Sequence, residues 1–225
     1  MLKARKVISI MLALTLAYSL SITAFAEDIN PDTSSNERQP NVIIENTDLE
    51  VPDYIVQELI RDNPDAGQII ITEYSNIGQS DEPHDFIAQP ASVNYYTDVS
   101  KTTITYDEVA KDVFVTSVAC GQTQTLTREW SETLSCNISG NIDYVSLGVK
   151  GSITKSYTTT DVFDGPPENS GYNSREYRVK FFQDKGTYTA NLHTDFPGWV
   201  IVIPESGNWT APSRYLAYSI NWVVD

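Results

Sequence analysis

The sequence is poor in the residues that most often bind metals or act as nucleophiles. It holds two cysteines and two histidines in 225 residues. Neither His84 nor His193 lies at ligand spacing from other candidate ligands, so we predict no metal site and no cofactor. There is also no G-x-S-x-G, H-E-x-x-H, C-x-x-C or phosphate-loop pattern. The sequence therefore predicts that the protein is not an enzyme. An extracellular hydrolase with an unrecognised site stays open as an alternative.

Basic residues are also scarce. Fifteen Lys and Arg stand against thirty Asp and Glu, which gives a net charge of −15. Most of the excess acid lies in residues 27–100. Because nucleic-acid binders need clusters of Lys and Arg, this composition excludes nucleic acid as a partner. The acidic surface is typical of a protein that must stay soluble outside the cell.

Long apolar runs are missing except at the N-terminus. Residues 1–6 (MLKARK) are basic, residues 7–22 are mainly apolar, and Thr23-Ala24-Phe25-Ala26 offers small residues at the positions a signal peptidase reads. This three-part pattern predicts a secretory signal peptide over residues 1–26, cleaved after Ala26. The alternative is an uncleaved anchor, but the run is short for a membrane span. We therefore expect a secreted, extracellular protein.

Three further regions follow the predicted signal peptide. Residues 27–41 are polar and contain two prolines, so they predict a disordered acidic leader. Residues 42–100 predict a small acidic α+β segment, which either packs on the rest or forms a separate lobe. Residues 101–225 are rich in Thr, Ser, Tyr, Val and Ile without a helical period, and they predict an antiparallel β domain.

One helix is predicted within the acidic segment. In residues 52–63 the apolar side chains recur at helical spacing, with Pro52 and Asp53 suited to the first turn; these side chains are Ile55, Val56, Leu59 and Ile60. The sequence Asn-Pro-Asp-Ala-Gly then ends the helix. Residues 68–74 (QIIITEY) predict a strand.

The β domain divides into short candidate strands separated by turn residues. Asp184-Lys185-Gly186 predicts a hairpin turn. The predicted strands are 102–106, 112–119, 123–138, 144–160, 175–183, 187–194, 199–204 and 213–224. Together with the helix, they predict a mainly β fold: an antiparallel sandwich or an elongated sheet, with one long amphipathic hairpin.

The long hairpin is predicted from two alternating segments, 123–138 and 144–160. Apolar residues fall at even positions of the first and odd positions of the second, while Ser and Thr dominate the other positions. Two registers put both apolar sets on one face. One pairs Leu134 with Val149, and the other pairs Glu132 with Lys155 across a longer loop. The sequence does not choose between them.

Residues 123–160 resemble the insertion hairpin of aerolysin-like and epsilon-toxin-like β-pore-forming proteins. The resemblance lies in the long Ser/Thr-rich alternating strands around a short turn. It implies secretion, oligomerisation on a target membrane and a β-barrel built from one hairpin per subunit. The candidate membrane-facing residues are Leu134, Ile138, Val145, Leu147, Val149 and Ile153. Charges at Arg128, Glu132 and Lys155 confine any membrane contact to the part nearest the turn.

The two cysteines predict a disulfide. Cys120 and Cys136 are an even pair in a chain with an export signal, and free thiols are the alternative. A bond between them would tie the strand that ends near Cys120 to the long hairpin.

Aromatic residues supply the candidate contact sites. Trp209, in the loop-like Gly207-Asn208-Trp209-Thr210, is the best single candidate for an exposed binding residue, and Trp199 is the second. Our first hypothesis is therefore a secreted, non-enzymatic β protein that binds an extracellular protein, glycan or membrane surface. The alternative is a pore-forming protein that inserts the 123–160 hairpin, with a homo-oligomer as its partner.

Overall fold

The computed structural model describes residues 39–45, 49–75, 94–196 and 199–223. The predicted signal peptide, nearly all of the predicted leader and His84 lie outside these residues. The fold is mainly β, as predicted. The strands are β1 Asn41–Ile44, β2 Gln68–Tyr74, β3 Asn94–Ala119, β4 Thr123–Thr125, β5 Trp130–Ser135, β6 Asn137–Ile138, β7 Ser152–Tyr157, β8 Val162–Asp164, β9 Ser174–Phe196 and β10 Trp199–Trp222, and the helices are α1 Asp53–Asp62 and α2 Tyr144–Leu147.

One elongated sheet organises the described residues. Its strand order is β1-β2-β10-β9-β3, and the short β6 pairs with a further stretch of β10. The β1–β2 pair is parallel and the other pairs are antiparallel. Because β2 pairs with β10, the acidic segment extends the main sheet and is not a separate lobe. The predicted boundary at residue 100 falls inside β3.

Helix α1 forms where its apolar spacing predicts it. Ile55 and Leu59 are fully buried, and they pack against Phe182, Leu216 and Tyr218 of the sheet. Asp53 lies in the first turn, where its negative charge suits the positive end of the helix dipole. This side of the sheet is therefore closed by one amphipathic helix.

A buried lysine fixes the helix to the sheet. Lys180 of β9 is 1% exposed, and its Nζ lies 2.7 Å from an Asp62 carboxylate oxygen and 3.4 Å from one of Glu58. Asp112 of β3 is a third partner at 3.7 Å. A buried ammonium is tolerated when carboxylates surround it. The three acids come from the helix and from β3, so Lys180 joins both to the centre of the sheet.

The three longest strands run through positions where the sequence predicted breaks. Strands 175–183 and 187–194 are one strand, β9, and Asp184-Lys185-Gly186 is not a turn. Gly186 serves strand pairing: a Cβ there would lie 1.9 Å from the Thr102 carbonyl oxygen. Glycine inside a strand often marks such a close approach of two backbones. In the same way, 102–106 and 112–119 belong to β3, and 199–204 and 213–224 belong to β10.

Residues 120–173, between β3 and β9, form a separate layer of small elements. β4 pairs with β8, and β5 pairs with β7. The predicted strands 123–138 and 144–160 are therefore wrong in extent, because irregular residues and α2 interrupt them. Asp143 caps α2 by accepting a hydrogen bond from the Ser146 amide at 2.7 Å, and Gly148 ends it in a left-handed conformation.

The layer covers the face of the sheet opposite α1. Alternate residues of β9 point to opposite faces. Phe182 belongs to the cluster under α1, whereas Val179 and Phe181 pack with Leu134 and Ile153 of the layer. The middle of the sheet is thus covered on both faces, and the sheet is the centre of a three-layered core.

Candidate functional site

Trp209 is buried, and the expectation that it is exposed is wrong. It is 3% exposed, and its indole Nε1 donates a hydrogen bond to the Thr187 carbonyl at 3.1 Å. The prediction was wrong because residues 207–210 are not a loop. They continue β10, and Ile138 of β6 pairs directly beside Trp209.

Trp199 is the exposed tryptophan. Its side chain is 58% exposed at the start of β10, whereas the other three tryptophans are buried or packed against the core clusters. Trp199 pairs with Phe196 at the end of the β9–β10 hairpin. The structure thus leaves this predicted contact residue in a position where it can meet a partner.

Trp199 belongs to a group of exposed apolar side chains at one end of the long sheet. This group, here called the apolar end, comprises Trp199, Val200, Val202 and Ile203 of β10 with Tyr95 and Val99 of β3, each between 36% and 58% exposed. Sequence reasoning identified only Trp199. The unbroken run WVIVI was the available signal, because a strand with only one buried face alternates apolar and polar residues.

The apolar end presents apolar groups on both faces of the sheet. Tyr95, His193 and Val202 form one cross-strand row, in which the Tyr95 and His193 rings stack at 4.7 Å. Tyr96, Leu192 and Ile203 form the adjacent row. Because neighbouring rows point to opposite faces, both sides of the sheet are apolar here.

A polar cleft borders the apolar end. Its volume is about 410 Å³, and its lining includes Asp98, Asn191 and Glu205. Asn191 donates to Asp98 at 2.8 Å, and Glu205 accepts from the Asn141 side chain at 2.9 Å. Burial, and next the Glu205 carboxylate, raise the pKa of Tyr96 to about 12, so this phenol stays protonated at neutral pH. Asn191 and Asp98 thus bond to each other, and Glu205 bonds to Asn141 through one oxygen while its other oxygen has no hydrogen-bond partner among the described residues.

The β5–β7 pair is a second amphipathic feature. Leu134 and Ile153 are directly opposed and buried against the sheet. The residues of the other face are all exposed: Ser131, Thr133, Ser135, Ser152, Thr154 and Ser156. The apolar face of this hairpin is therefore covered by the sheet, and its hydroxylated face meets solvent.

The register of this pair settles the alternative that the sequence left open. Glu132 lies opposite Lys155, as in the second of the two registers. Each charge also contacts a strand of the main sheet: Glu132 lies 2.6 Å from Lys111 of β3, and Lys155 pairs with Glu73 of β2. The charges that would resist membrane entry thus hold the hairpin on the sheet.

The other predicted membrane residues do not share one strand face. Ile138 pairs with Trp209 of β10. Val145 and Leu147 lie in α2, where Val145 is exposed and Leu147 is buried, and Val149 packs beside them on the Tyr188 cluster. The prediction of a strand through these residues was wrong, since the Asp143 and Gly148 caps favour a helical turn over continued alternation.

The segment that joins β5 to β7 is held against β9 and β10. The Ser139 amide and hydroxyl both donate to the Asn208 carbonyl, at 2.9 and 3.0 Å. Tyr188 donates to the Ser139 carbonyl at 2.6 Å, and Lys101 donates to the Gly148 carbonyl. These bonds fix the segment that connects β5 to β7 on the main sheet.

The predicted disulfide is absent, and both cysteines are free thiols. Cys120 lies in the turn after β3, where its thiol is 3.4 Å from the Pro167 carbonyl. Cys136 packs on the cluster of Ile142, Leu147 and Tyr188, and burial raises the pKa of its thiol. The two side chains belong to different surroundings because Cys136 follows β5 toward β10, away from the end of β3.

Two kinds of feature are missing from the described residues. No group of three or more His, Cys, Asp or Glu side chains there could hold a metal ion. In the same part of the chain, no helix is both long and apolar enough to cross a membrane.

Comparison with known proteins gives no relative. No protein-family model, no curated protein and no solved structure matches the chain.

Proposed function

We propose that the protein is a secreted, non-enzymatic β protein that binds an extracellular partner or surface through its apolar end. One observation supports this proposal most strongly: six large apolar side chains are solvent-exposed together at one end of the sheet. Other apolar side chains of β3, such as Ile104 and Tyr106, are also exposed, but those of the middle of β9 and β10 pack under α1 or under the layer of residues 120–173. Exposed apolar clusters with a polar border are typical of interaction surfaces.

Binding of the labelled protein to intact cells tests this proposal. We expect wild-type protein to adsorb to cells in a panel of bacterial and animal cells, and V202T/I203T to adsorb at least about tenfold less, because the first substitution replaces a methyl group at the contact by a hydroxyl and the second replaces an ethyl group. Threonine keeps the β-branched shape that suits a strand, so the fold should persist.

The matched control is I104T/V162T. It makes the same two substitutions at sites that are more exposed, 65% and 60%, and lie outside the apolar end. We expect this variant to bind as wild type does. Equal binding by V202T/I203T and wild type, or adsorption to none of the cells, would contradict the proposal.

A second candidate function is pore formation by the β5–β7 hairpin. The observation that favours it is the division of this hairpin into a covered apolar face and an exposed hydroxylated face. Released from the sheet, such a hairpin would turn Leu134 and Ile153 toward lipid and its hydroxyl groups toward a water-filled lumen, with Glu132 and Lys155 at the rim of the lipid-facing side. Release would break the Glu132–Lys111 and Lys155–Glu73 contacts and the anchoring bonds of Ser139.

Leakage of dye-loaded vesicles tests the second candidate. Pore formation requires leakage to rise steeply with protein concentration, since several subunits must combine, and it requires an oligomer in the vesicle fraction. Vesicles that retain their dye while the protein stays monomeric at the highest concentrations would exclude this function.

A further inference from the structure

The apolar end differs from a surface that docks onto another folded protein, and this difference points to its partner. Val202 and Ile203 are about half exposed, at 49% and 47%, yet neighbouring residues of a strand point to opposite faces. A protein that packs on one face of the sheet would leave the other apolar face in water. A fluid apolar medium surrounds both faces at once.

The charges near the apolar end indicate which kind of lipid surface it could bind. Residues 94–99, 189–195 and 199–204 contain two acids, Asp98 and Asp195, and neither lysine nor arginine. Anionic lipid surfaces are bound by clusters of basic residues, and the chain as a whole carries −15. A neutral, zwitterionic surface avoids this repulsion.

The length of the apolar end matches the outer part of a bilayer. From Trp199 to Ile203 a strand advances about 13 Å, less than half of a hydrocarbon core of roughly 30 Å. Behind this point lie the polar side chains of Asn191, Asp98 and Glu205. Tryptophan and tyrosine are enriched where protein meets the lipid headgroups, and both Trp199 and Tyr95 are exposed here.

A second copy of the chain fits the apolar end less well. β3 forms one edge of the sheet, and its pairing with β9 shifts register at five places, including Thr97/Ser100 and Thr103/Thr105. Irregular edges of this kind hinder the addition of another strand. The edge nearest the apolar end is therefore poorly suited to strand pairing between copies.

We propose that the apolar end enters the interfacial region of a zwitterionic phospholipid bilayer, with Trp199 among the residues that contact lipid. This inference rests on the proposed function and adds the chemistry of the surface that is bound. The exposed Asp195 lies directly opposite Val200 and enters together with these residues, so its charge opposes entry.

Vesicle flotation with tryptophan fluorescence tests the inference. The purified protein is mixed with vesicles of phosphatidylcholine alone and with vesicles that also contain phosphatidylserine. We expect binding to phosphatidylcholine, weaker binding to the mixed vesicles at low salt, and a shift of the emission to shorter wavelength, because Trp199 is the exposed tryptophan. V202T/I203T should bind at least about tenfold more weakly, and I104T/V162T should bind as wild type does.

Asp195→Asn provides a test in the opposite direction. Removing the charge should strengthen binding to phosphatidylcholine several-fold, since a carboxylate resists transfer toward hydrocarbon. Weaker binding by this variant would overturn the inference, as would binding that requires phosphatidylserine. Failure to float with either vesicle would also overturn it; if V202T/I203T nevertheless loses cell binding, the proposed function stands and the surface is not lipid. If cell binding is also unaffected, both proposals fail.

Discussion

Ile153→Asp is expected to lower the free energy of unfolding by about 4 kcal/mol, as is typical when an unpaired carboxylate is buried. Ile153 is 5% exposed and lies opposite Leu134, between the hairpin and the sheet. It belongs to a cluster whose buried members include Val179, Phe181 and Ala217, and none of the buried members has a hydrogen-bonding side chain. The carboxylate can regain water only if the β5–β7 hairpin lifts from the sheet.

Urea denaturation and limited proteolysis measure this effect. Besides the lower midpoint, we expect faster cleavage within residues 136–151, because the lifted hairpin loosens its connecting segment. Ser156→Asp is the matched control: it adds the same charge to the exposed face of the same strand, and it should cost less than about 1 kcal/mol. Equal losses for the two variants would show that the hairpin does not cover the sheet.

Gly186→Val is expected to destabilise the protein by about 3 kcal/mol or more, at the upper end of the range for overpacked sites. The new side chain would begin 1.9 Å from the Thr102 carbonyl oxygen, which is backbone and cannot rotate away. The pairing of β3 with β9 must open at its middle to accommodate it. Gly186 is not among the glycines with a left-handed backbone, so its role is close strand approach and not turn formation.

The control for this prediction is Thr187→Val, one residue along β9. Thr187 is exposed and pairs with Thr102, so a β-branched replacement fits the strand and should change stability by less than about 0.5 kcal/mol. Thermal or urea unfolding of both variants provides the comparison. If Gly186→Val were as stable as the control, the continuous β9 would be contradicted and a turn at 184–186 would regain support.

Local sequence patterns correctly predicted the elements that bury a single apolar face. The spacing of Ile55 and Leu59 predicted α1, observed over Asp53–Asp62. The run of isoleucines from Ile69 predicted β2, which has the predicted bounds. In both cases the apolar side chains are those that face one core, so their spacing along the chain predicts the type of element.

The sequence failed where long-range pairing overrides local preference. Asp184-Lys185-Gly186 has turn residues, but β3 and β10 pair with it on both sides and keep it extended. The alternation of 144–160 predicted a strand, yet the residues at its start form α2 between the Asp143 and Gly148 caps. The residues around Trp209 predicted a loop, but in the structure they lie in β10 and pair with β6.

The same reasoning explains why only part of the candidate site was predictable. The run WVIVI marks a stretch of β10 that is apolar on both faces, but nothing local shows whether other elements cover it or leave it exposed. Coverage depends on where α1 and the layer of residues 120–173 end along the sheet. Val202 and Ile203 become candidate contact residues only when that arrangement is known.

Photo-cross-linking on cells that bind the protein tests the central claim most directly. A benzophenone amino acid is placed at position 202, in the apolar end, or at position 162, which is exposed elsewhere. A third probe at position 154 reports on the outer face of β5–β7. We predict adducts with cell-surface molecules from position 202 and background levels from positions 162 and 154. Adducts that form mainly from position 162 or 154, with background levels from 202, would contradict the assignment of binding to the apolar end.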